Sequence, residues 1–138
     1  MSFADELRQQ TVTDQQRDAE QRKNILAARE RYVKSFRYAC REAARKGERA
    51  CKLEFQNNYD ANLCNFYTSD RGTVEEVRAY AEEALRQDGF KKLNVSVVRF
   101  TSSRNSYVSR TGLMKSLLGN SFKRVTEVFY TLRIEAKW

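Results

Sequence analysis

Glu127-Val-Phe-Tyr-Thr-Leu-Arg-Ile-Glu-Ala-Lys-Trp138 alternates its side-chain character over twelve residues. Side chains two apart in a strand share a face. Val128, Tyr130, Leu132, Ile134, Ala136 and Trp138 therefore form one apolar surface, and Glu127, Phe129, Thr131, Arg133, Glu135 and Lys137 point the other way. One apolar face per strand is the pattern of an antiparallel sheet covered on one side only. The expectation is an α+β fold.

Upstream, Leu93, Val95 and Val97 alternate with Asn94 and Ser96 as a second strand reaching Phe100. Between these strands lies an excursion over residues 101–124, in which Leu113–Leu118, bounded by Gly112 and Gly119, reads as one or two helical turns. The whole run from Gly89 to Thr126 contains no carboxylate and eight cations, equal to the formal charge of +8 for the chain. A loop this long in a compact domain is uncommon and is usually functional or mobile.

Further upstream, Thr73-Val-Glu-Glu76 has the form of a capping box, with Thr73 as N-cap and Glu76 at the third helical position. The helix it opens carries Val74, Val77, Ala81, Ala84 and Leu85 on one face and ends at Gly89. Cys51–Gln56 alternates as a first strand, with Leu53 and Phe55 inward. Residues 57–71 form a turn-rich connection that Leu63, Phe66 and Tyr67 tack to the core. A long helix is expected from Thr13 as N-cap to Lys46, stopped at Gly47, with Ile25, Tyr32, Phe36 and Cys40 on its apolar stripe. Residues 1–22 are acidic and polar, and either project or fray. The predicted order is α-β-α-β-(short α)-β: the long N-terminal helix and a second helix packed on a three-stranded, mainly antiparallel sheet, in a single domain over residues 1–138.

At 138 residues the chain can bury one core, and no apolar run approaches the roughly 18 residues of a membrane helix. The N-terminus lacks the order of a signal peptide, which leads to an expectation of a cytoplasmic protein. Three cysteines spaced 11 and 13 apart suggest neither a disulfide framework nor a zinc knuckle, so Cys40, Cys51 and Cys64 read as small apolar residues. Without histidine the commonest general base is missing, and Ser-His-Asp and Cys-His pairs cannot form within the chain. There is no phosphate-binding glycine loop and no Ser-x-x-Lys dyad. These absences predict a non-enzymatic protein without cofactor or metal. One remote alternative is a metal-dependent nuclease built on Glu135 and Lys137, with Glu54 as the second carboxylate.

The charge distribution favours a polyanionic partner. Residues 1–20 hold five acids against Arg8 and Arg17, a net of −3, which leaves +11 on the remainder. Arg99, Arg104, Arg110, Lys115, Lys123 and Arg124 are candidates for phosphate contacts, with Tyr107 available to stack on a base. Lys34, Arg37, Arg41 and Arg45 form a second cationic row at helical spacing, continuing that surface. An acidic or nucleoprotein partner would satisfy the same charges. The long N-terminal helix is also expected to support a homodimer.

The opening Met1-Ser-Phe-Ala-Asp-Glu-Leu-Arg8, the helix end Gln87-Asp88-Gly89-Phe90 and the terminal Lys137-Trp138 resemble small uncharacterised proteins of bacterial phages, prophages and mobile elements. The resemblance brings no catalytic residues. It implies a context of DNA-handling factors or inhibitors of host defence, including anti-CRISPR-like proteins that act by protein–protein contact.

Overall fold

A computed structural model describes the backbone of residues 2–108 and 121–138 and the side chains of residues 2–103 and 126–138. Its elements are α1 (Phe3–Ala27), α2 (Arg29–Arg45), β1 (Ala50–Glu54), α3 (Arg71–Arg86), β2 (Lys92–Val108) and β3 (Ser121–Lys137). The fold is α+β, with, among the described residues, three helices and one three-stranded antiparallel sheet in the order β1-β3-β2. The alternating C-terminal stretch is thus the central strand. Leu132, Ile134 and Ala136 on β3, with Leu53 and Val95 on its neighbours, pack against Tyr32, Val33 and Phe36 of α2 and Val74, Val77, Ala81 and Leu85 of α3. All three helices pack on this side. The three cysteines are free and lie partly buried against the same core.

The long helix departs from expectation at its start and in its middle. It begins at Phe3, where Ser2 accepts from the Asp5 amide (3.2 Å) and the Asp5 carboxylate accepts in turn from the Ser2 amide (3.4 Å). Thr13 is interior, its hydroxyl donating to Gln9 O (2.9 Å), so it caps nothing. The helix then breaks at Ala28, whose φ of −88° and ψ of 1° leave the helical region. Ala is the best helix former, so no local signal marks this break. Tertiary contacts flank it instead. Arg22 donates from Nη2 to Glu76 (2.6 Å) and from Nη1 to Thr73 (3.2 Å) and Asp70 (3.3 Å), while the Arg29 guanidinium lies 4.7 Å from the Tyr80 ring centre. Both draw the chain onto α3. Every residue from Ser2 to Gln21 is exposed, and Phe3 to Gln21 are helical.

Gly47 terminates α2 with a φ of +82°, as its position predicts. The cap of α3 is Asp70, three residues ahead of the expected Thr73. Asp70 accepts from the Gly72 amide (3.1 Å) and the Thr73 hydroxyl (2.6 Å), and these bonds, Thr73 foremost, hold its carboxyl below the usual range. Thr73 is completely buried in the first turn, and Glu76 turns outward to Arg22.

The largest departure concerns the excursion. β2 and β3 continue, paired residue for residue, as far as Val108 and Ser121. Residues 101–108 and 121–124 are therefore strand, not loop. β1 pairs only with Arg133–Lys137, so the outer part of β2 and β3 is a two-stranded ribbon. The expected helical turns at Leu113–Leu118 lie outside the described residues. No helix among the described residues is long and apolar enough to cross a membrane.

Candidate nucleic-acid interface

The ribbon is anchored where it leaves the sheet. Thr68 forms an isolated bridge with Tyr130, with N–O distances of 2.8 and 3.1 Å. The connection bringing Thr68 there is fixed by its asparagines. Asn58 Nδ2 donates to Glu54 O (2.7 Å), and Asn58 and Asn65 exchange two bonds of 2.9 Å. Phe66 then turns into the core, stacking on Tyr32 at 4.3 Å. Thr131 lies on the face that alternation assigns to solvent, yet it is completely buried. Its hydroxyl donates to Phe66 O (2.6 Å) and Phe55 O (3.2 Å), pinning the connection to the central strand.

One residue on from Phe66, Tyr67 emerges on the opposite face of the sheet, where no helix of the described residues packs. It meets Phe129 (ring centres 5.1 Å) and Phe100 (6.2 Å), and Phe100 and Phe129 are register partners 5.7 Å apart. None of the three rings belongs to the buried core, and Tyr67 is 55% exposed. Sequence alternation puts Phe129 on a polar face and Tyr67 in a loop, so neither points to an aromatic patch. The only available signal was the pair Phe100 and Phe129, each out of phase with its own strand's apolar side.

The same face continues toward the other end of the sheet. Glu54 is neutralised by Arg133, whose Nε donates to it at 2.7 Å and whose guanidinium holds the carboxyl below its ordinary value. Glu135 lies 3.7 Å from Lys52. Beyond them Lys92 and Lys137 stand directly opposite each other, both exposed, beside an open groove of about 780 Å³. The two carboxylates of the nuclease alternative are therefore each engaged by a cation. Among the described residues, no three acids or cysteines gather as a metal site.

The sequence-derived candidates divide. Arg99 is exposed on β2, opposite Tyr130. Arg104, Tyr107, Lys123 and Arg124 fall on the paired ribbon, opposite Val125, Phe122, Ser106 and Asn105 respectively. Arg110 and Lys115 lie outside the described residues. On α2, Lys34 and Arg41 are exposed, and no ion pair engages them among the described residues. Arg37 and Arg45 are committed elsewhere. Arg37 grips Asp88 through Nε (2.9 Å) and Nη2 (3.1 Å), which raises its pKa and ties α2 to the end of α3. Arg45 pairs with Glu42 at 2.6 Å. The helical row is thus partly a structural clamp. No protein-family model, curated protein or solved structure matches this chain.

Proposed function

We propose that this is a non-enzymatic nucleic-acid-binding protein, of phage or mobile-element origin and acting in the bacterial cytoplasm, whose basic ribbon engages the phosphate backbone. The observation that carries the reading is the coincidence of the acid-free stretch with the paired strands. Arg99, Arg104, Lys123 and Arg124 occupy register positions on the two strands of one ribbon, and a two-stranded ribbon is narrow enough to enter a major groove or to lie along a backbone. A held backbone also spaces cations more regularly than a loop, which lowers the ordering cost on binding.

Salt titration tests this. Replacing Arg99, Arg104, Lys123 and Arg124 together by Gln should flatten the dependence of log Kd on log salt by roughly 0.7–0.9 for each phosphate no longer neutralised. Absence of binding by the native protein to DNA or RNA at about 50 mM salt would overturn the reading.

A second reading is an inhibitor of phage-defence machinery acting by protein–protein contact. It is favoured by α1, whose exposed half carries a net −3 over residues 1–20 and displays Phe3 (72% exposed), Leu7 and Val12 (each 51%). Such a helix suits a protein partner or a second copy of the chain. Light scattering addresses the second copy: a mass that stays monomeric at high concentration removes the homodimer.

A further inference from the structure

We propose that the face of the sheet opposite α2 and α3 is a track for single-stranded nucleic acid, in which Tyr67, Phe100 and Phe129 stack on bases and Lys92 and Lys137 take up phosphate. The proposal rests on the nucleic-acid reading above and goes beyond it by naming a second surface and a strandedness.

Three observations carry it. First, the rings are partly exposed and mutually packed, which is a fixed aromatic platform, and the face of every base can stack on such a platform whatever its sequence. A duplex keeps its bases stacked on each other, so the platform discriminates in favour of unpaired strands. Second, Lys92 opposes Lys137 across an antiparallel pair, an arrangement that destabilises a sheet. Neither lysine has a carboxylate partner among the described residues, whereas Glu54 and Glu135 on this face are already matched by Arg133 and Lys52. An anion between the two lysines relieves that repulsion. Third, the dimensions fit. Lys92 and Phe100 lie on the same side of β2, eight residues and therefore about 27 Å apart. That length holds several nucleotides, within the roughly 4–16-nucleotide sites of comparable surfaces.

A protein partner would use the aromatic patch as an apolar anchor and would have no need of unpaired lysines at the far end. The charge on the track therefore favours nucleic acid.

The test uses the full chain and a fluorescent oligothymidylate of about 20 nucleotides, longer than one such site, against the same strand annealed to oligodeoxyadenylate. Anisotropy titrations should give tighter binding to the single strand. Tyr67→Ala should weaken single-strand binding roughly 5- to 150-fold, the range for removal of one stacked base, and leave duplex binding nearly unchanged. Tyr67→Trp should restore it and be quenched on binding. Lys92→Gln with Lys137→Gln, both at exposed positions, should flatten the single-strand salt dependence by about 0.7 for each phosphate left without its cation. Equal effects of Tyr67→Ala on both probes, no effect on either, or a duplex preference in the native protein would overturn the track. If the ribbon substitutions weaken binding while the Tyr67 and lysine variants do not, the track fails and the ribbon reading stands. If the native protein binds neither probe nor the corresponding RNA, both fail.

Discussion

Thr131→Val is the substitution that most directly probes how the connection is fastened to the sheet. Valine has nearly the same shape as threonine and a good β-propensity, so in a central strand local rules predict neutrality or a small gain. The structure predicts a loss. The Thr131 hydroxyl is completely buried and donates to Phe66 O at 2.6 Å and Phe55 O at 3.2 Å. Phe55 O keeps the Phe66 amide at 2.9 Å, but Phe66 O loses its short donor and stays buried beside a methyl group. A buried acceptor deprived of its partner costs about 1–3 kcal/mol, against which the added methyl returns about 0.8 kcal/mol. A net destabilisation of up to about 2 kcal/mol follows. For a chain of 138 residues this should lower the melting temperature by up to roughly 7 °C. Urea unfolding followed by circular dichroism measures it, with Thr131→Ser as the companion that keeps the hydroxyl and gives up only the methyl. If Thr131→Val proves as stable as the native protein while Thr131→Ser is the weaker of the two, the hydroxyl is not the fastening and the reasoning fails. Because Tyr67 follows Phe66, the valine variant should also loosen the aromatic patch, visible as faster amide exchange at Tyr67 and Thr68.

Other perturbations separate structural from contact roles. Arg37→Gln should lower stability by about 1 kcal/mol by releasing the grip on Asp88, with little change in salt dependence of binding; a flattened slope without destabilisation would return Arg37 to the interface. Asp70→Ala should cost about 1 kcal/mol in chemical denaturation, the usual effect of losing an N-cap, and a larger cost for Glu76→Ala would move the cap away from Asp70. Deleting residues 2–20 removes a net −3 and should tighten binding to any polyanion at low salt, whereas weaker binding would make α1 part of the contact surface. Acid should destabilise the fold. Arg133 depresses the Glu54 pKa, and Thr73 does so for Asp70. Groups with lowered folded-state values contribute stability that is present above their unfolded values, near 4, and is lost as pH falls through the folded ones. Melting temperatures should be level from pH 7 to about 5 and fall below about 4; a rise on acidification contradicts these pairings.

The apolar skeleton was legible because it is written locally. Leu132, Ile134 and Ala136 at period two, and Val74, Val77, Ala81 and Leu85 at helical spacing, declare their elements whatever else is near, and each is buried on the expected face. Boundaries were less legible wherever a distant residue decided them. Thr73 satisfies the local form of a capping box, but Asp70 also stands three residues before it, and only the burial of Thr73 against the core chooses between them. The break at Ala28 is held by Arg22 and Arg29 reaching α3, contacts that no local window contains. The ribbon was missed for a related reason. Ser, Arg and Asn are weak strand formers, and residues 101–108 become strand because residues 121–128 lie opposite them. At the candidate site, charge was readable from composition. The aromatic platform was not, since it joins residues from three separate parts of the chain.

The strand order β1-β3-β2 has a consequence for the order of folding. The central strand is the last of the three along the chain, and Ala50 on β1 finds its partner in Lys137. The helices can form as they emerge from the ribosome, but β1 has no neighbour until β3 has been made, because β2 never pairs with it. Loop closure over so much chain is slow, and strand edges left waiting invite wrong partners. A nascent chain stalled before Ser121 should therefore be helical and sheetless, a natural client for chaperones that shield unpaired strands.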